Sequence, residues 1–210
     1  MKIYQGNGGG SSTRKFCKDH DVGILLCSRW RNPSGYPYYA LDNGAFSAYI
    51  NKRTWNEEGF LNLLKKCLAQ PKLPDFVVVP DKVAKGMESQ AFSLAWLDKL
   101  PKADTRYLLA VQDGMTYEAV EQVIDRFGGI FVGGTIPWKY STAWEWSSLA
   151  HAHGKPCHIG RVGVWSRIMW ASAIGADSID SSSWPHNNSW HHITYAEEQR
   201  ALPYFDGEIA

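Results

Sequence analysis

The chain lacks closely spaced cysteines. Cys17, Cys27, Cys67 and Cys157 are its four in 210 residues, and no CxxC occurs among them. Such scatter argues against a zinc knuckle and against the disulfide framework of a small secreted domain, and it fits a reducing cytoplasm. No run approaches the roughly 18 apolar residues of a membrane span, and the first eight residues carry no apolar signal-peptide core. Charge of either sign is not in excess, with 22 Lys and Arg against 21 Asp and Glu. The total therefore demands no polyanionic partner and leaves a local basic rim open. The glycine cluster at 6–10 lacks the Gly-x4-Gly-Lys-Ser/Thr of a P-loop, so it reads as a sharp turn or as backbone that can lie close to a ligand.

Aromatic residues, in contrast, are abundant: ten Trp, ten Tyr and eight Phe, most of them expected as core or loop anchors. The length suits one good core, hence a single domain over residues 1–210. Short apolar runs centred near residues 3, 24, 40, 78, 109, 131, 158 and 179 read as eight strands. Helical patterns fall between most of them, at 11–20, 54–69, 88–100, 117–127, 144–153 and 166–174. Ser11, Ser12 or Thr13 is the expected N-cap of the first helix, and Thr54-Trp-Asn-Glu57 has the form of a capping box for the second. Strands alternating with helices predict an α/β fold, a compact (β/α)8 TIM-like barrel, with a doubly wound sheet as the alternative.

In such a barrel the carboxyl ends of the strands share one face, where barrel active sites lie. Asp42, Asp81, Gln112, the Gly133-Gly134 backbone, Gly160 and Asp180 all stand at such ends. Asp180, in Gly175-Ala-Asp-Ser-Ile-Asp180, is expected at a strand mouth, opening toward solvent ahead of a polar loop. Two carboxylates facing one site suit displacement at an anomeric carbon, one attacking and the other moving the leaving-group proton. A third acid with a carboxamide suits reading of the amino and imino edge of guanine, and Phe46 can stack on a purine.

Asp42-Asn-Gly-Ala-Phe46, Val79-Pro-Asp81, Ala110-Val-Gln112, Gly128-Gly-Ile-Phe-Val-Gly133, His158-Ile-Gly160 and Gly175-Ala-Asp-Ser-Ile-Asp180 resemble, in the same order, the motifs of the tRNA-guanine transglycosylase superfamily. The resemblance implies that Asp180 is the nucleophile of a glycosyl-enzyme intermediate and Asp42 the acid/base serving the base. It also implies that Asp81, Gln112 and Gly133 read the base, with Phe46 and Ile159 sandwiching it. The turn at 160–163 is one residue longer than the family's, and Asp177 resembles a supporting acid.

The tRNA enzymes follow the nucleophile with a zinc site of three Cys and one His, whereas residues 184–195 contain His186, His191 and His192 but no Cys. No structural zinc is expected, and no cofactor. The short chain resembles compact relatives from phages and bacterial islands that exchange guanine in DNA for a free 7-deazaguanine base such as preQ0. The expected partners are therefore DNA and the free base, in the cytoplasm, or in the host's if the source is a phage. A target guanine must leave the stack, so partial opening of the duplex, unaided or by a helper protein, favours the reaction.

Arg161, Arg167, Lys139, Lys82 and Arg29, with Arg14, Lys15, Arg31 and Lys85, fall in or near expected loops on that face as candidate phosphate contacts. Trp138, Trp165, Trp184 and Trp190 fall in similar loops, to wedge, stack or pack over the barrel mouth. The rival readings are the same exchange on tRNA, a barrel glycoside hydrolase, and a non-catalytic subunit that binds a base or nucleic acid.

Overall fold

The strands of this protein are short and mostly buried on both faces, which suits a sheet covered on both sides. The computed structural model describes residues 1–6 and 9–200, so the glycine loop at 7–8 and residues 201–210 lie outside the described residues. The strands are β1 (Lys2–Gly6), β2 (Val22–Leu26), β3 (Tyr39–Leu41), β4 (Phe76–Val78), β5 (Arg106–Val111), β6 (Gly129–Val132), β7 (Cys157–Ile159) and β8 (Ser178–Ser181). Each pairs in parallel with the next, and β8 returns to β1 with Ile179 opposite Ile3, closing the barrel. The expected (β/α)8 architecture is therefore what the chain forms, as one compact domain, and closure excludes the doubly wound sheet.

Side chains alternate between two cores, as the two-residue period of a strand requires. Inward-facing Tyr4, Leu25, Tyr38, Ala40, Phe76, Val78, Leu108 and Ala110 fill the barrel, with Phe131 packed against them. Outward-facing Ile3, Ile24, Leu26, Leu41, Val77, Val79, Leu109, Val111, Ile130, Val132, Ile159 and Ile179 meet the helices. Tyr4 stacks edge-on against Tyr38 and Phe76 at 5.0 and 5.3 Å, so aromatic rings fill part of the barrel interior.

The helices are α1 (Ser11–Asp19), α2 (Ala45–Ile50), α3 (Glu57–Leu68), α4 (Gly86–Leu97), α5 (Tyr117–Glu121), α6 (Ile136–Ala152), α7 (Trp165–Ala173), α8 (Ser183–Asn187) and α9 (His191–Arg200). Several differ from the sequence-based expectation for local reasons. The N-cap of α1 is Gly10, with no side-chain cap, and the capping-box reading at Thr54 gives way to Asn56, whose side chain accepts the Gly59 N–H at 2.8 Å. The expected helix at 117–127 stops at Glu121 and continues as a 3-10 turn, Ile124–Arg126.

The largest difference is α6, which starts at Ile136 rather than near residue 144. Pro137 occupies its first turn, where proline's missing N–H costs nothing. Asp113, beyond β5, accepts the Thr135 N–H at 2.7 Å and its hydroxyl at 2.6 Å, anchoring that start. Residues 184–195, expected as a loop, are largely helical in α8 and α9, with Trp184 wholly buried. Among the described residues no helix is long and apolar enough to cross a membrane.

Candidate active site

Beyond β3 the chain turns through Asp42-Asn43-Gly44 into α2. Gly44 holds φ +80°, a conformation open to glycine, and its N–H donates to Asp42 Oδ1 at 2.7 Å. That turn fixes the Asp42 carboxyl at the carboxyl end of the barrel. Asn43, buried beside it, donates to the Val79 carbonyl at 2.8 Å and to Asp81 Oδ1 at 2.7 Å, while its own oxygen accepts the Ala45 N–H at 2.8 Å. One carboxamide thus ties the end of β3 to the end of β4 and sets both acids in register.

Gln112 completes this bridge from β5. Its Nε2 donates to Asp81 Oδ2 and its Oε1 accepts the Ala84 N–H at 2.6 Å. Both ends of the carboxamide are engaged, so in this state Gln112 orients Asp81 rather than offering a free edge to a base. The Gly133 amide is likewise committed, donating to the Val111 carbonyl at 2.9 Å.

Asp180 lies inside β8, not at an open mouth. It shares the inward parity of Ser178 and is 7% exposed. The correction follows from register: β8 continues to Ser181, which leaves Asp180 within the barrel wall facing the interior. Its Oδ1 lies 3.0 Å from His158 Nε2 and 3.4 Å from the Arg161 N–H. A carboxylate only accepts, so Nε2 carries the proton, Nδ1 is the acceptor, and the Ser178 hydroxyl donates to it across 2.8 Å. Phe131 stacks on the His158 ring at 4.8 Å and Tyr4 meets it edge-on at 5.8 Å. The imidazole therefore has little freedom to turn.

These pieces line one open cleft, bounded by Asp42, Asn43, Phe46, Asp81, Gln112, Gly133, Gly134, Arg161 and Asp180 over an apolar floor of Val78, Ala110 and Phe131. No family model and no curated protein matches this chain. What the site can do is accordingly read from its own geometry.

Two acids in the cleft are poised for proton chemistry. Burial pushes Asp42 up to about 6; the Gly44 N–H opposes this, the Asp180 charge adds to it, and Arg161 offsets it. Burial likewise pushes Asp81 up to about 7, against the hydrogen bond from Asn43, with the Asp42 charge raising it further and Gln112 lowering it. Burial holds His158 below the usual imidazole range although its bond to Asp180 pulls the other way.

Of the residues singled out by sequence, Asp42, Asp81, Gln112, Gly133, Gly134, Phe46 and Asp180 meet in this cleft. Ile159 does not. Its side chain faces the helices in the outer core, because inward-facing His158 precedes it and strand side chains alternate. The reading of Ile159 as one side of a base sandwich is therefore corrected. Gly160 makes room rather than contact. A Cβ there would fall 2.8 Å from Phe131, forcing that ring to shift, and would crowd Asp180 Oδ1 at 3.3 Å.

The cations divide in the same way. Lys139 is 2% exposed, sits on α6, and donates to the Gly160 carbonyl. It supports the turn after β7 and is no phosphate contact; burial, with Arg161 nearby, pushes its amine down to about 7. Lys82 pairs with Glu88 at 2.6 Å, and Arg167 lies over the Tyr140 ring at 5.1 Å. Arg161 is inside the cleft itself. Arg29, exposed, lines a second recess together with Arg53, and that recess adjoins the cleft through Asp42 and Asn43.

Sequence reasoning missed three residues as parts of the site: Asn43, His158 and Phe131. Each lay within a quoted motif, and the signal for His158 was a polar residue inside an otherwise apolar strand. The aromatic loop anchors also sort themselves. Trp184 belongs to the core, Trp138 packs at 5.9 Å on Trp146, Trp190 at 4.6 Å on Phe16, and Trp165 stands edge-on to Tyr195 at 4.9 Å. The supporting acid Asp177 lies away from the cleft, accepting the Cys157 N–H at 2.8 Å and meeting His151 at 2.9 Å.

Proposed function

We propose that this barrel is a transglycosylase that exchanges a guanine in DNA for a free 7-deazaguanine base through a covalent intermediate on Asp180. The observation that carries the reading is the opening of Asp42, Asp81 and Asp180 on one cleft beside the exposed ring of Phe46. The order of motifs resembling the tRNA-guanine transglycosylases supports it as well.

The steps are those of a two-carboxylate displacement at an anomeric carbon. A carboxylate oxygen of Asp180 attacks C1′ of the extruded nucleotide. The C1′–N9 bond breaks, its electron pair leaves with the base, and the neutral Asp42 carboxyl delivers the proton that the departing guanine takes up. In the second half the Asp42 carboxylate removes the proton from the incoming base, whose nitrogen attacks C1′ as the bond to Asp180 breaks. Asp180 and Asp42 end as they began, and no outside energy source enters. An acid raised to about 6 can hold and release a proton near neutrality.

Asp81, as a carboxylate, accepts from the N–H groups of the purine edge through the lone pairs that Asn43 and Gln112 leave open. His158 holds Oδ1 of Asp180 by a fixed donor. The adjoining recess with Arg29 and Arg53 offers room for the strand beside the extruded nucleotide.

Incubation of the protein with radiolabelled guanine or preQ0 and either single-stranded DNA or tRNA tests the proposal. Label entering DNA in the wild type, and none with Asp180→Asn, is the expected result. Label entering tRNA alone would redirect the reading to the RNA substrate, and label in neither would remove it.

A further inference from the structure

Arg161 is the one cation that lines the cleft among the described residues, and the two-carboxylate chemistry has no use for it. Arg161 stands in the turn after β7 at φ +62°, a left-handed conformation uncommon for a residue with a side chain. Its guanidinium lies 4.1 Å from the centre of the Phe46 ring, and one of its N–H groups donates to the Gly134 carbonyl. Asp180, Asp113 and Asp42 are the carboxylates whose charges act on it.

These contacts are the ones a purine would make. The exposed face of Phe46 is the stacking surface of the cleft, and the glycine turn beyond β6 is its polar edge. In the transglycosylase reading, a cationic group that lies over the first and donates to the second already stands in the place of the base. No ring fits between guanidinium and phenyl, because two successive stacking contacts need about 7 Å and the separation is 4.1 Å. A base that uses this face of Phe46 must therefore move Arg161 away.

Resting on the transglycosylase reading, we propose that Arg161 sets the order of substrates: its guanidinium fills the base subsite until a phosphodiester of the nucleic acid draws it out. The two substrates differ in what they return for that displacement. A free base removes a cation–π contact and a hydrogen bond and brings no anion to replace them. A nucleotide within a strand brings a phosphate next to the same sugar, and guanidinium pairs with phosphate in a planar, charge-assisted fork. Nucleic acid therefore binds first and holds Arg161 aside, and the free base enters a site already cleared. A free base that came first would block the exchange, since nothing could attack it.

The test uses Arg161→Gly, which keeps the left-handed backbone accessible, and Arg161→Lys, which keeps the charge without the planar stack. Free guanine binding is measured by calorimetry, and binding of a guanine-containing single-stranded DNA by fluorescence anisotropy across salt concentrations. Arg161→Gly is expected to bind free guanine about tenfold tighter than the wild type. It is also expected to bind the oligonucleotide about tenfold weaker, with the slope of log K against log salt reduced by about one. Arg161→Lys should gain affinity for guanine while retaining most of that for DNA. Guanine affinity unchanged or weakened in both variants, with label exchange intact in the wild type, overturns the proposal and leaves the transglycosylase standing. Absence of guanine binding and of exchange in every protein removes both.

Discussion

Within the cleft, neighbouring acids are held apart in role by what surrounds each of them. Asp81 is pushed up to about 7 by burial, yet it must be ionised to accept two N–H groups from a purine edge. Protons compete with the base below that value, so guanine affinity should rise as pH is raised from about 6 to 8. Asp81→Asn should bind weakly at every pH, and calorimetry across that range reads the difference. His158 offers a second check on single residues. Its Nε2–H fixes Asp180 at 3.0 Å, so His158→Ala should slow formation of the covalent intermediate by about 10²-fold with guanine affinity unchanged. His158→Gln, which can present an N–H at a similar reach, should recover part of that loss. Equal losses in the two variants, in step with lowered melting temperature, would assign His158 to packing alone.

At the level of elements, what could be read from the chain and what could not have different physical origins. Strands β2, β4 and β5 announce themselves as apolar runs because both faces are buried, and α3 through apolar residues at helical spacing. The six residues of α2 were hidden, since a single turn and a half after Gly44 leaves no period to detect. The beginning of α6 was hidden too, because its anchor is Asp113, supplied by a distant strand end. Ile159 was misassigned for want of parity: a three-residue strand such as β7 does not show which face is inward until its neighbours are paired. The helix α8, read as loop, delivers Trp184 into the core and donates its indole N–H to the Gly163 carbonyl at 2.8 Å. Trp184→Ala should therefore cost about 3–5 kcal/mol, read as a lower midpoint in urea unfolding. A change within about 0.5 kcal/mol, as for an exposed loop side chain, would contradict that placement.

The molecule as a whole makes the site by closure. Asp42 follows β3, Asp81 follows β4, Gln112 follows β5, the glycine pair follows β6, Arg161 follows β7 and Asp180 lies in β8, so six successive strands contribute to the set. Sequence order alone put most of these polar residues at strand ends, with Asp180 instead inside β8, and the barrel gathers them into one cleft. In the proposed exchange Asp180 attacks a nucleotide sugar while Asp42 serves the departing base. Intact-protein mass spectrometry after incubation with guanine-containing single-stranded DNA, without free base, tests this most directly. The expected product is a covalent protein–DNA species that has lost guanine, attached at Asp180, which free 7-deazaguanine discharges and Asp180→Asn does not form. A wild-type protein that exchanges label without any such species, or an Asp180→Asn variant that forms it undiminished, would contradict the account.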